Sequence, residues 1–148
     1  MATKWIYWVE ELGKEDNDLV GKKCANLGEI AKAGLPVPKG FCLSVYAYSM
    51  FMDLTGASKE IVSLIEAHTP TADDVEGIKS LSKAMRQIVE SKPLPPEMAE
   101  TLLSYYGQLC DHACVLDLAV STRSAGVVSH PGQYETYLNV KGKKDLTD

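Results

Sequence analysis

The sequence predicts an α/β fold of the mixed α+β kind, on three observations. Short β-branched or aromatic runs stand near both ends of the 148 residues. Between them, apolar residues recur three and four apart over long stretches, which is the spacing of a buried helix face. Gly and Pro fall between these runs, where helices and strands must end.

Lys4 to Val9 is aromatic and β-branched and reads as a strand. Glu10 to Val20 is polar, with Gly13, Asn17 and Asp18, and reads as a loop. Ala25 to Ala33 reads as a helix with Leu27, Ile30 and Ala31 on one face. Gly34 follows where a left-handed residue is expected, and Pro36 and Pro38 prevent continuation. Phe41 to Val45 fits a strand and Tyr46 to Leu54 a helix stopped by Gly56. Tyr46, Tyr48, Met50, Phe51 and Met52 are read as helix packing. Ser58 is placed as the cap of a helix reaching about Ala67, and Thr69–Thr71 as a turn. From Asp73, the spacing of Ile78, Leu81, Met85 and Ile88 predicts a helix, broken by Pro93, Pro95 and Pro96. Met98, Leu102, Tyr105 and Leu109 predict the next. Val115 to Ser121 fits a buried strand, Arg123 to Gly132 a loop, and Thr136 to Val140 a last strand with a polar tail. Helices are thus expected between an early and a late group of strands, on a small sheet. No internal repeat or low-complexity segment interrupts the pattern.

Composition excludes several functions. Apolar residues make up 45%, enough for a core, and the net charge is -5, which gives no electrostatic reason to expect nucleic acid or an anionic membrane as partner. No apolar run reaches the roughly 18 residues of a bilayer span, and the N-terminus lacks the order of a secretory signal. Cys24, Cys42, Cys110 and Cys114 include one C-x3-C spacing with His112 and His130 nearby. Structural zinc uses two tight pairs, so the cysteines read as reduced, partly buried thiols of a cytoplasmic protein, and no metal ligands are assigned.

Three segments carry candidate chemistry. Gly21-Lys22-Lys23-Cys24-Ala25-Asn26-Leu27 places Gly and two Lys at a helix start, where unpaired amides favour an anion. It is not a P-loop, since no Gly lies five residues before Gly-Lys and no Ser or Thr follows. Thr122-Arg123-Ser124 puts a guanidinium, a rigid fork of donors, after a strand. Pro131-Gly132-Gln133-Tyr134-Glu135-Thr136 offers a glycine for close approach and a hydroxyl. Alone, each has a plain reading: a solvated Lys pair, a surface Arg, and a tight turn into a strand.

Together they resemble a family. Val20 to Ile30 followed by Ala33-Gly34-Leu35-Pro36-Val37-Pro38-Lys39-Gly40-Phe41 resembles the opening of phosphoenolpyruvate synthases and pyruvate phosphate dikinases, V-G-G-K-G-A-N-L-x-E-M then A-G-L-P-V-P-x-G-F. Arg123-Ser124, Pro131-Gly132 and Glu135-Thr136-Tyr137-Leu138-Asn139-Val140 resemble that family's V-R-S, P-G and D/E-T-x-L-N. The two blocks bracket almost the whole chain. The sequence departs from the pattern at Lys22 and Cys24, which stand at glycine positions, and at Thr122, where the family carries Val before Arg.

The resemblance implies an ATP-grasp-like nucleotide-binding domain, with residues 1–148 as its first lobe and ATP held between two lobes. Carried over by position, Lys23 and Arg123 contact the nucleotide phosphates, and Gly132 and Thr136 lie in a loop beside them. The ligands of Mg2+ and the adenine contacts are expected in a second lobe. The phosphohistidine and pyruvate-handling domains are expected elsewhere in the parent protein or in a partner subunit. His68, His112 and His130 sit in no phosphohistidine motif, so no residue of this chain is assigned as catalytic. The implied activity is that of an ATP-dependent phosphotransferase with pyruvate as acceptor. The alternatives are a relative acting on phenol or a rifamycin, and a stand-alone interaction or regulatory module.

Overall fold

The structure is a computed structural model that describes residues 4–124, 126 and 135–147. The chain forms two compact units, Met1–Tyr48 with Pro96–Asp148, and Ser49–Pro95.

In the first unit, strand β1 (Ile6–Trp8) pairs antiparallel with β2 (Phe41–Leu43), placing Ile6 opposite Leu43 and Trp8 opposite Phe41. The segment after β1, expected as a loop, is instead two short 3-10 turns, Val9–Glu11 and Lys14–Asp16. Acidic side chains make those turns regular by accepting from backbone amides that would otherwise lack partners. Trp8 N donates to Glu11 Oε2 at 2.8 Å, Gly13 N to Asp16 Oδ2 at 2.8 Å, and Lys14 N to Glu29 Oε1 at 2.8 Å.

Helix α1 (Asn17–Lys32) starts at Asn17 rather than Ala25 and is interrupted at Gly21, which has φ 79° and ψ 158°. Its buried positions are Val20, Gly21, Ala25 and Gly28, while Leu27 and Ile30 of the predicted face are exposed. The reason is close packing: a Cβ at Gly28 would overlap the Leu12 carbonyl, so only glycine lets the helix cross Leu12 there. Val9, Leu12, Val20, Ala25 and Cys42 form the core cluster of this unit. At the far end, Gly34 takes φ 77°, as expected, and Leu35 N donates to Ile30 O at 3.2 Å, a Schellman-type finish.

Helix α5 (Pro96–His112) opens on Pro96, which therefore starts a helix as well as ending the preceding stretch. It buries Met98, Leu102, Tyr106, Leu109 and Cys110. Tyr105 joins Trp8 and Phe41 in an aromatic cluster with ring centroids 5.2 and 5.6 Å from its own. The predicted buried strand Val115–Ser121 is not found. Strand β3 spans Val120–Arg123, and Leu116 is 97% exposed. Strand β4 (Thr136–Val140) matches the expectation and pairs antiparallel with β3. The polar tail contains a short helix, α6 (Gly142–Thr147). The early and late strands thus form two separate two-stranded ladders.

Helix α2 (Val45–Leu54) runs from the first unit into the second. Its packing falls to Ala47 and Met52, whereas Tyr46 and Tyr48 are exposed. The second unit continues with α3 (Ala57–Ala67) and α4 (Val75–Glu90), which pack on each other. Ser58 is not the cap of α3: Gly56, at φ 73°, holds that position, and Ser58 Oγ lies 3.5 Å from Asp53 Oδ1. Asp74 caps α4 by accepting from Gly77 N at 2.8 Å. Among the described residues, no helix is long and apolar enough to cross a membrane.

Candidate functional site

The break in α1 builds the candidate site. The combination of φ 79° and ψ 158° at Gly21 is open to glycine and nearly closed to other residues. Val20 and Ala25, both buried, fix the chain on either side of it. A Cβ on Gly21 would stand 2.6 Å from the carbonyl oxygen of Gly126 and 2.8 Å from its nitrogen. The two glycines therefore meet backbone to backbone. This contact brings Lys22 and Lys23 to the chain that leaves β3, and Lys23 Nζ donates to the Ser124 carbonyl at 3.1 Å across 101 positions of sequence.

Arg123 is the last residue of β3, not the first after it, and pairs directly with Thr136 of β4. Residues opposite one another in an antiparallel ladder present their side chains on the same face, with Cβ atoms about 4.5–5.5 Å apart. Both side chains are exposed there. The register shifts by one between Val120–Val140 and Thr122–Tyr137, and Asn139 in the longer segment has φ 59°. Asn tolerates this left-handed geometry, so it serves as a bulge residue that sets the twist of the ladder.

The ladder is anchored from α5. The hydroxyl of Tyr106, a residue only 2% exposed, donates to Leu118 O at 2.8 Å and accepts from Gly142 N at 3.0 Å. Cys110 Sγ accepts from Leu118 N at 3.4 Å. One helix face thus holds both the approach to β3 and the exit from β4.

Lys23, Arg123 and Thr136, named from the sequence, are gathered around the end of one ladder, while Gly132 lies outside the described residues. Three further residues contribute, of which Ser124 was named from the sequence only as part of the Thr122-Arg123-Ser124 segment. Ser124 Oγ is buried and has no hydrogen-bond partner among the described residues, a condition that costs about 1–3 kcal/mol if left unmet. Gly126 was legible only as part of the loop from Arg123 to Gly132, and Tyr106 only as one more residue of a helical stretch. Nothing local to either marks a contact with a residue distant in sequence.

Cys24, directly after Lys23, has a thiol held below its ordinary range by a hydrogen bond from Cys42, against the opposing effect of burial, with the Lys23 charge assisting. The same pairing, with burial, pushes the Cys42 thiol up. The donors here are an ammonium, a guanidinium and hydroxyls. They suit phosphate oxygens and do not suit a hard divalent cation, which takes oxygen ligands, mainly carboxylates. Among the described residues no group of three or more His, Cys, Asp and Glu is placed to hold a metal ion. A depression of about 510 Å³ along α4, where Lys79, Lys83 and Arg86 lie, belongs to the second unit and contains none of the three segments.

These features define a mixed α/β domain in which a glycine-only turn carries a lysine to a strand end. Residues 17–148 match the pyruvate phosphate dikinase, AMP/ATP-binding domain family, and the chain belongs to that family. It is 35% identical over 151 residues to a probable phosphoenolpyruvate synthase of Staphylothermus marinus, covering 97% of this chain and 18% of that protein. It is 33% identical over 184 residues to the phosphoenolpyruvate synthase of Pyrococcus furiosus, covering all of this chain and 22% of that protein. The phosphoenolpyruvate synthase of Aeropyrum pernix is 34% identical over 154 residues, covering all of this chain and 19% of that protein. The chain spans about a fifth of the length of these curated relatives.

Proposed function

We propose that this chain is the first lobe of an ATP-grasp-like nucleotide-binding domain, and that it holds ATP phosphates for an ATP-dependent phosphotransferase acting on pyruvate. The observation that carries the reading is the meeting of Lys23 with the Ser124 carbonyl beside the Arg123–Thr136 pair. A triphosphate needs several cations around it, and one Lys on a flexible stem positions it poorly. Arg123 is held by its strand and supplies the fixed fork. Lys23 exchanges the Ser124 carbonyl for phosphate oxygen, and the Ser124 hydroxyl, which has no partner among the described residues, gains an acceptor. ATP supplies the phosphoryl group, and the positive residues favour the charge that develops as it transfers. Mg2+ ligands, the phosphohistidine and the acceptor site are placed in other parts of the parent protein or in a partner subunit. Lys22 and Cys24 at family glycine positions favour, as a second reading, a non-catalytic module of the same fold.

Calorimetric titration of the 148-residue chain with ATP tests the half-site. Two exposed contacts contribute little in water, so a Kd on the order of millimolar is expected, about 4 kcal/mol. Micromolar binding overturns the half-site, and formation of phosphoenolpyruvate by the isolated chain overturns the division of labour. In the parent protein, K23A and R123A each impair phosphoryl transfer from ATP, and K22A less so. The reverse order for the two lysines would overturn the assignment of Lys23.

A further inference from the structure

The core of the first unit contains two thiols that the proposed nucleotide chemistry does not use. Cys42 is buried in the middle of β2, opposite Tyr7. Cys24 stands early in the second stretch of α1, partly exposed, and packs on the cluster to which Cys42 belongs. α1 lies against β2, so the two thiols share one packed cluster. Both thiols are free. The other two cysteines are differently placed: Cys110 holds the Leu118 amide, and Cys114 is exposed past the end of α5.

We propose that Cys24 and Cys42 are a redox pair, closing to an intramolecular disulfide beside the Lys23 junction by exchange with a low-molecular-weight disulfide of the glutathione type. The Cys24 thiolate attacks one sulfur of oxidised glutathione. The glutathione S–S bond breaks, a mixed disulfide forms on Cys24, and one glutathione leaves as thiolate and takes up a proton. Cys42 then gives its proton to solvent and attacks the Cys24 sulfur, releasing the second glutathione. Two electrons pass from the protein thiols to the glutathione disulfide.

The environment assigns the order. Cys24 is reachable and its thiolate is favoured, so it attacks first. Cys42 is shielded and is kept protonated chiefly by its pairing with Cys24. Once Cys24 is in the mixed disulfide it carries no charge, that pairing is lost, and Cys42 is released to resolve the intermediate. The disulfide would tie α1 to β2 immediately after Lys23, linking the set of the junction to the redox state. That last consequence rests on the proposed nucleotide reading, because it gives Lys23 a ligand to hold.

The experiment uses the 148-residue chain with Cys110→Ser and Cys114→Ser, treated with oxidised glutathione and mapped by peptide mass spectrometry. A cross-link between the peptides carrying Cys24 and Cys42, with loss of two hydrogens, is expected. In the same background, C42S is expected to stop at a glutathione adduct on Cys24, and C24S to leave Cys42 unmodified. Unmodified thiols, or a separate adduct on each cysteine, would overturn the pair. The wild-type chain is mapped alongside, with the Cys24–Cys42 cross-link expected there too, so that a folding defect of the Ser variants does not decide the result. ATP well above its millimolar Kd is expected to slow the first step several-fold by neutralising Lys23. Cross-linking at an unchanged rate would leave the pair standing and overturn the phosphate role of Lys23.

Discussion

The two units are held together by different means. Ile6, Val9, Leu12, Val20, Tyr106 and Leu109 are all buried in the first, which also carries backbone approaches so close that only glycine fits them. In the second, Met52 and Ala57 are the buried hydrophobic residues, α4 buries none fully, and Val62, Ile65 and Ile78 remain exposed on their helices. The first unit is specified by a few crowded contacts between distant residues. The second is specified by helix periodicity and local caps. The candidate site belongs to the first kind, and a single methyl group is enough to disturb it.

Two glycines break or sharpen that contrast most directly, since both have positive φ. At Gly21 a methyl group meets the Gly126 backbone, whereas at Gly56 nothing lies within 4 Å. Gly56→Ala is therefore expected to cost only the left-handed strain, about 1–2 kcal/mol. Gly21→Ala adds overlap with a backbone that cannot rotate away, for about 3 kcal/mol or more. Trp5 and Trp8 both lie in the first unit, so fluorescence-detected urea unfolding follows that unit, while far-UV circular dichroism follows the helices of both. Equal losses for the two variants would show that crowding at Gly126 is not what sets Gly21 apart.

Tyr106→Phe comes next. It removes one hydroxyl and strands both the Leu118 carbonyl and the Gly142 amide, for an expected loss of about 1–3 kcal/mol. Hydrogen exchange should rise at the β3–β4 amides and stay unchanged in α3 and α4. A rise spread evenly over both units would mean that Tyr106 does not act through the ladder.

What the sequence disclosed follows the same division. Helices with a strong 3.6-residue pattern, such as α4 and α5, and the Gly34 finish of α1, were legible because their causes are local. Lys23, Arg123 and Thr136 were named through the resemblance, and the β3–β4 register is what sets Arg123 against Thr136. The early start of α1 was missed because Gly21 looks like a helix breaker, and here it interrupts a helix that resumes. The run from Val115 looked like a buried strand because it is apolar, yet pairing begins only at Val120, where Tyr106 and Cys110 have already fixed Leu118. Such contacts leave no periodic trace.

A smaller effect is expected from Asp74→Ala in the second unit, which removes the cap on Gly77 N and should lower stability by about 1 kcal/mol. Far-UV circular dichroism should register this fraying of α4, with tryptophan fluorescence unchanged. Matching shifts in both signals would show that the two units unfold as one.

The smallest expected effect is acid sensitivity in the first unit. Lys39 binds Glu10 at 2.7 Å, and this hydrogen bond outweighs burial and holds the Glu10 carboxyl below its ordinary value of 4.5. For Glu11 burial acts upward, but the hydrogen bond and charge of Lys4, with the Trp8 amide, outweigh it and leave that carboxyl low as well. A carboxyl whose pKa is lowered by folding binds its proton less readily in the folded chain. Its contribution is fully present above the ordinary value and is lost as the pH falls through the lowered one. All four side chains are more than a third exposed, so solvent screening keeps each pair well under about 1 kcal/mol. Fluorescence-detected stability should therefore decline gently below about pH 4.5, and Glu10→Gln with Glu11→Gln should flatten that limb while lowering the neutral plateau slightly. An acid limb of unchanged steepness in the double variant would assign the acid response to other carboxylates.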